Sequence, residues 1–494
     1  MKQVLYILIT LLLLVSCEEK VCDTKQETAQ PQIYPDYVGV TVPVNIAPMN
    51  FCMVDETALL VDAVITDSHG HNLHSQGDES VDFDLDDWHT LLAQNCGDSL
   101  LVTVSAKFAD GWHTYSPFSI YVSPDSIDYG ICYRLIEPGY EVWSKMGIYE
   151  RDLSSFDERA LIENTQFEGC VNCHSFNRGN SADMSLHIRG PHGATLISHN
   201  GSPVTAYNTK TDQTLGFCVY PYWHPSGRYI AYSTNSTSQL FHSADSNRIE
   251  VFDTASDLQV YDVEKNELLI TPMLKQDSIY ETFPVFSADG RSMYFCAAQA
   301  IPEGSYKLDS IRYNLCRIDF NPETGSFGDS IETVIDAVVQ GKSVSFPRPS
   351  YDGRYLCYTL SDYGQFSIWH HEADLYMLDL KTGESTAMDK ANSDDTESFH
   401  NWSTNSRWLV LSSRRDDGLF TRPYFCHVDK NGGIGKAFML PQRNPRQFYR
   451  DRFLSYNVPD FIVRPTHFDG SKTSNIIIDE SRKNFGVRSV KSGL

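Results

Sequence analysis

Four stretches of this sequence share one pattern: "YPYWHPSGRYIAYS" from Tyr220, "FPVFSADGRSMYFC" from Phe283, "FPRPSYDGRYLCYT" from Phe346 and the weaker "FHNWSTNSRWLVLS" from Phe399. Each opens on an aromatic residue, usually followed by proline. A turn carrying Gly-Arg or Ser-Arg comes next, and then an alternating strand. Pro221, Pro284 and Pro347 recur at intervals of 63 residues. Between them lie second signatures, "DLQVYDVEKNELL" from Asp257 and "DLYMLDLKTGEST" from Asp374, each a strand, a turn and a strand. One such four-stranded sheet cannot bury both faces alone, so a unit repeated at this length predicts the blades of a β-propeller. Four blades carry the signature. "GATLISHNGSPVTAYN" and the region after 440 supply one or two more, for five or six blades over residues 183–494. The spacing exceeds that of a minimal blade, so insertions sit on at least one face.

The repeats resemble the TolB-like family of propellers, over roughly residues 183–470. Upstream, Leu100, Val102, Val104, Ala106 and Phe108 alternate with polar or exposed positions, and a turn at Ala109-Asp110-Gly111 leads to Phe118, Ile120 and Val122. With "VGVTVPVNI" and "ALLVDAVIT", this predicts a mainly β chain whose residues 33–129 form a small Ig-like β-sandwich. The 12% aromatic content suits pleated surfaces. His69, His71 and His74 in "DSHGHNLHSQGD" are close enough in sequence to hold a metal, but Gly, Asn, Ser and Asp around them read as an exposed turn.

The N-terminus bears on location. Lys2 precedes an apolar run from Val4 to Val15, too short to span a bilayer as a helix and suited to a signal-peptide core. Leu14-Val15-Ser16-Cys17 is similar to a bacterial lipobox. Residues 1–16 are then the lipoprotein signal peptide, Cys17 carries lipid on its sulfur, and 17–32 form a polar tether. Glu18 and Glu19 resemble the acidic residues that follow the lipidated cysteine in surface-exported lipoproteins of Bacteroidetes. The expected place is the cell envelope, anchored in the outer membrane on its periplasmic or surface face. The net charge of −24 repels phosphate backbones, which argues against a nucleic-acid partner. Twelve cysteines without regular spacing exclude a small disulfide framework.

The most specific chemical motif is "FEGCVNCHSF", with Cys170, Cys173 and His174. In c-type haem attachment each thiol adds across a vinyl group and the adjacent histidine ligates iron, so the vinyl spacing dictates Cys-x-x-Cys-His. Composition predicts only about 0.01 chance occurrences in a chain with 12 cysteines and 16 histidines. Three other readings compete. A thioredoxin-like disulfide wants a strand before it and a long helix after it, and "SFNRGNSAD" offers no such helix. An inert loop is the second. The third is structural zinc on Cys170, Cys173, His187 and His192, whose spacing matches a zinc finger although Gly190 and Pro191 break the helix a finger needs. Ser155 and Glu158 read as a capping box for a short helix, making 130–182 a helical linker that carries the motif.

"YRLIEPGYEVWSKMGIYERDL", "CVNCHSF" and "MSLHIRGPHGAT" ahead of the repeats resemble a group of Bacteroidetes lipoproteins described as TolB-like propellers with a cytochrome c-type haem motif. The resemblance implies covalent haem c and the architecture, but no substrate. Cys170 and Cys173 are then the attachment sites and His174 the proximal iron ligand. Met184, His187 and His192 are the nearest distal candidates, with His187 favoured by its place in the matching segment. The function expected is electron transfer, or a redox partner's role, in an envelope complex. An open sixth position would permit peroxidase-like chemistry. The alternative is a non-catalytic propeller that binds protein or glycan, with the Cys/His set holding zinc. Motifs of serine hydrolases, zincins and P-loop enzymes are lacking. Trp223-His224 and His370-His371 are placed either in the propeller channel or, more simply, in packing and turns.

Overall fold

The computed structural model describes residues 18–138, 144–245, 247–302, 305, 307–490 and 493, so Cys17 lies outside the described residues. The chain divides into two compact units. The smaller one takes in residues up to 39, 47–122 and 441–451. Its main sheet orders Lys25–Gln26, Gly111–Thr114, Ser99–Phe108, Leu60–Thr66 and Asn72–Gly77, and Phe118–Ser123 also pairs with Ser99–Phe108. A two-stranded ribbon, Ile33–Tyr34 with Cys52–Met53, accompanies it. The strands read from alternation are therefore present, but they form one main sheet and a ribbon. The unit also contains a helix, Leu85–Gln94, capped by the Asp84 side chain on the backbone N–H groups of Asp86 and Asp87. His69 and His71 sit at the exposed hairpin turn, and His71 and His74 pair with different carboxylates, Asp67 at 2.8 Å and Asp62 at 2.7 Å.

The larger unit is a six-bladed propeller. Blade 2 comprises Cys170–Asn177, Asn180–Arg189, Ala194–Ser198 and Thr205–Asn208. Blade 3 comprises Val219–Trp223, Tyr229–Phe241, Ile249–Asp262 and Glu267–Ile270. Blades 4, 5 and 6 begin with Ile279–Phe286, Ser343–Pro349 and Glu397–Trp402. Blade 1 is assembled from both ends of the unit. Gly130–Ile136, Gly147–Asp152 and Glu158–Glu163 form its outer three strands, and Ser455–Ile462 is the innermost, paired with Gly130–Ile136. Blade 1 closes the ring because its inner strand packs beside those of blades 6 and 2.

Two sequence expectations are corrected here. The propeller begins at Gly130 rather than 183, and among the described residues the expected helical linker 130–182 forms strands with one short 3-10 turn, Asn164–Gln166. Glu158, read as part of a helix cap, starts the strand Glu158–Glu163 instead. Its helix-forming composition yields to pairing with Gly147–Asp152 and to the anchoring of Arg159 on Glu150 at 3.1 Å. The Gly-Arg turns behave as expected: Gly227, Gly290 and Gly353 adopt φ of +76°, +70° and +74°, and in the weaker repeat Ser406 takes the same left-handed place at +59°. After blade 1, Lys483–Asn484 and Gly486–Ser489 run parallel to the outer edges of blades 2 and 3, covering strand edges that would otherwise be open.

Candidate functional site

The inner strand of every blade carries a bulge at the same place. Its register slips between Val219 and Tyr222 in blade 3, Thr282 and Val285 in blade 4, Ser345 and Arg348 in blade 5, and Ser398 and Asn401 in blade 6. Blade 1 slips opposite Asn457 to Asp460. Each bulge inserts two residues where the partner strand has one. In blades 3, 4, 5 and 1 the pair is an apolar residue and a proline: Tyr220-Pro221, Phe283-Pro284, Phe346-Pro347 and Val458-Pro459. Blade 6 has Phe399-His400. Proline suits this place because a bulged residue makes no ladder hydrogen bond. The first residue of each of these five pairs is left-handed, with φ between +43° and +52°.

Blade 2 departs from the pattern. Its slip falls between Val171 and His174, so its bulged pair is Asn172-Cys173. This gives the Cys-x-x-Cys motif its geometry. Residues three apart on a regular strand face opposite sides. The inserted residue restores the phase, and both thiols line one chamber of about 580 Å³ in the propeller. The strand is brought in closely: a Cβ on Gly169 would lie 2.7 Å from the Arg189 carbonyl oxygen, so only glycine fits before Cys170. Both thiols are free, and Cys173 is 9% exposed. Burial pushes the Cys170 thiol up, opposed by Arg134 and Arg189.

The chamber walls are mostly apolar and aromatic, with Tyr220, Phe283, Phe346 and Phe399 from the bulges and Phe366 and Trp369 from an excursion of blade 5. The first four form a continuous arc, with successive centroids 4.6, 4.3 and 4.7 Å apart. The long hairpin of blade 3 adds Ile249 and Val251. Set into these walls are three cations, Arg134, Arg189 and Arg348. His174, 4% exposed, also lines the chamber. One of its nitrogens, Nε2, lies 3.4 Å from the Cys132 carbonyl oxygen, while Nδ1 has no partner among the described residues. Burial lowers its pKa to about 4, so the ring is neutral at neutral pH with a nitrogen lone pair available.

A narrower passage continues from the chamber, sharing His174, Arg348, Phe399 and Val458 with it. His400, Asp460, Tyr222 and Tyr351 line this passage. His400 is 2% exposed and neither ring nitrogen has a hydrogen-bond partner among the described residues. Burial drives its pKa to about 3, opposed by the Cys357 backbone. Asp460 accepts from Asn401 Nδ2 at 2.6 Å and from the Phe176 backbone N–H at 2.9 Å, and burial pushes it up to about 7.

The structure thus brings Cys170, Cys173 and His174 together in one cavity. It does not bring the expected distal candidates there. Met184 packs among Phe176, Leu186 and Ile188. His187 is buried against Phe217, its Nδ1 3.1 Å from Thr195 Oγ1, and His192 pairs with Glu480 at 2.9 Å. The reason is the strand: Met184 and His187 sit on the second strand of blade 2, Asn180–Arg189, and His192 in the turn that follows it, none of them lining the chamber. The same placement separates His187 and His192 from the two cysteines, and among the described residues no group of three or more His, Cys, Asp or Glu is positioned to hold a metal ion. Trp223 and His224 serve packing, donating to the Ser175 carbonyl oxygen and pairing with the Gly290 carbonyl oxygen. His370 lies between Glu250 and Glu372 at 3.1 and 3.2 Å, which raises its pKa to about 9 despite burial. Sequence reading missed His400 and Arg348. For His400 the signal was the departure from proline within an otherwise repeated motif, whereas Arg348 follows a retained Pro347 and carries no such signal.

No protein-family model and no curated protein matches the chain. Among solved structures it is similar to prolyl oligopeptidase B from Galerina marginata, with 9% identity and a TM-score of 0.37 over 69% of this chain. That match spans 42% of the oligopeptidase, less than half its length. It is also similar to the periplasmic gluconolactonase of Pseudomonas aeruginosa, with 13% identity and a TM-score of 0.35 over 68% of this chain and 100% of that one. A DUF4784 family protein from Bacteroides caccae matches at 9% identity and a TM-score of 0.29, over 75% and 97% of the two chains.

Proposed function

We propose that this protein is an envelope lipoprotein that carries one covalent c-type haem in its propeller channel and exchanges electrons with a protein partner. The observation that carries this reading is the blade 2 bulge. It replaces the apolar-proline pair with Asn172-Cys173 and so turns both thiols of the motif into a single chamber. A volume of about 580 Å³ is in the range of cofactor sites, roughly 300–1,000 Å³.

The residues suit the group part by part. Cys170 and Cys173 would each form a thioether, the sulfur and its hydrogen adding across one vinyl double bond, with no oxidant consumed. His174 offers iron a neutral imidazole nitrogen, and its other nitrogen faces a backbone carbonyl, the arrangement that orients metal-binding histidines. The aromatic arc of blades 3–6 would pack against the macrocycle and exclude water. Arg134, Arg189 and Arg348 match the two carboxylates that make haem an amphipathic anion. Bound there, the iron supplies a one-electron couple. In this reading Cys17 holds the protein on the outer membrane through lipid, and a redox protein of the envelope is its partner.

The test is a pyridine haemochrome spectrum of full-length protein made with a cytochrome c maturation system, beside the Cys170→Ala/Cys173→Ala variant. A covalent c-type spectrum in the wild type that disappears in the variant is expected. Absence of covalent haem from the wild type would sink the reading.

A further inference from the structure

Strand length singles out one hairpin of the propeller. The second and third strands of blade 3, Tyr229–Phe241 and Ile249–Asp262, hold 13 and 14 residues. Their counterparts hold 8 and 8 in blade 4, 7 and 6 in blade 5, and 6 and 6 in blade 6. Those blades close without any such extension, so the fold does not require it. A bulge between Ser236 and Thr237 marks where the extra length begins. Five further pairs, from Thr237 with Asp253 to Phe241 with Ile249, carry the hairpin on by about 17 Å.

Alternation gives the extension two faces. Thr237, Gln239, Ile249 and Val251 line the chamber. Leu240 and Phe252, on the other face, lie against the core shared by blades 4 and 5. The end of the hairpin is held on blade 5. Asn247 Oδ1 accepts from the His371 backbone N–H at 3.2 Å, and Asn247 Nδ2 donates to Glu372 at 3.4 Å. Glu250 accepts from the Tyr363 hydroxyl and pairs with His370 Nε2 at 3.1 Å. These partners belong to the same blade 5 excursion that contributes Phe366 and Trp369 to the chamber wall. Burial along the hairpin runs opposite to that of a packed core. Leu240, Val251 and Phe252 are half-buried, whereas Asn247 and Glu250 are only 6% and 4% exposed. The hairpin is therefore held chiefly by its polar end.

We propose that this hairpin is a strap across the chamber, latched to blade 5 by Asn247 and Glu250, and that an occupant of the chamber's size passes when the latch releases. Removing one member of a buried charged pair leaves its partner uncompensated, so a single change at the latch weakens closure while the blades keep their cores. The strap stands whether the chamber holds haem or another molecule.

The test is the rate at which fluorescein maleimide labels Cys170 and Cys173, read peptide by peptide by mass spectrometry. Full-length protein is made without a haem maturation system, so that both thiols stay free as in this structure. Glu250→Gln and Asn247→Ala are compared with the wild type. Glu250→Gln should speed labelling of the chamber thiols at least about tenfold, with a smaller gain for Asn247→Ala. Cys296 and Cys357, fully buried in blades 4 and 5, should stay unlabelled. Amide hydrogen exchange should rise over 237–241 and 249–253 in the same variants while the rest of blade 3 stays protected. Unchanged labelling in both variants would overturn the proposal. So would a rise shared by Cys296 and Cys357, because the thiols would then be reached by unfolding. Wild-type chamber thiols that react as fast as in urea-unfolded protein would overturn it as well, since the hairpin would not stand in the way.

Discussion

Phe346 in blade 5 and Asn172 in blade 2 occupy the same place in the same bulge, yet they contribute differently. Phe346 is buried between Phe283 and Phe399, within the aromatic arc that joins four neighbouring blades. Asn172 accepts one hydrogen bond from Arg134 Nη1 at 2.7 Å and lines the chamber. One backbone device thus serves cohesion on one side of the channel and opens a site on the other. The sharpest way to break this comparison is Phe346→Ala. Deleting a buried ring at the junction of blades should cost about 3–5 kcal/mol in urea unfolding. A loss below about 1 kcal/mol would show that the ring merely lines a cavity.

A second contrast lies two residues earlier on the inner strands. Glu397 in blade 6 and Glu281 in blade 4 hold equivalent positions, each buried. Glu397 accepts from Arg415 Nη2 at 2.8 Å, Ser413 Oγ at 2.8 Å and Ser393 Oγ at 2.6 Å. Neither carboxyl oxygen of Glu281 has a partner among the described residues, and burial beside Asp257 pushes its pKa up to about 9. The same substitution should therefore have opposite signs. Glu397→Met leaves Arg415 uncompensated and should lose about 3 kcal/mol. Glu281→Met removes an unsatisfied acid and should gain about 1–3 kcal/mol at pH 8. The pH dependence has a definite direction. A carboxyl whose folded pKa is raised contributes stability that is complete below its ordinary value and is lost as pH rises through about 9. The gain from Glu281→Met should therefore shrink at pH 5. Urea midpoints at the two pH values decide it, and equal gains at both would mean Glu281 does not titrate in this window.

These contrasts also mark what can be read before a structure exists. Pro221, Pro284 and Pro347 announce the blades because the bulge tolerates proline and recurs at the same place on successive inner strands. Blade 1 leaves only the isolated Val458-Pro459. Its inner strand Ser455–Ile462 begins 292 residues beyond Glu163, the end of the three strands it completes, and a single strand has no period to detect. Glu158–Glu163 misleads because its composition favours helix while its partner strand dictates otherwise. The motif Cys170, Cys173 and His174 is legible because that spacing of those residue types is rare by chance in a chain of this composition. Partners such as Arg134, Arg348 and His400 are not, since they converge only when the ring closes.

The finest test of the blade 2 exception is Asn172→Ala. In the apolar bulges the first residue is left-handed and packed, whereas Asn172 is neither left-handed nor part of the aromatic arc. Truncating it removes one hydrogen bond from Arg134, whose Nε already lacks a partner among the described residues. The expected loss is about 1.5 kcal/mol, the lower end for a hydrogen bond to a charged group because Asn172 is only half-buried. Both thiols stay in place, so covalent haem incorporation should match the wild type. A loss as large as that of Phe346→Ala would mean that blade 2 closes the ring through Asn172 and that the chamber is a by-product of packing. A loss confined to the hydrogen bond would leave blade 2 as the one inner strand whose bulge the fold does not need filled.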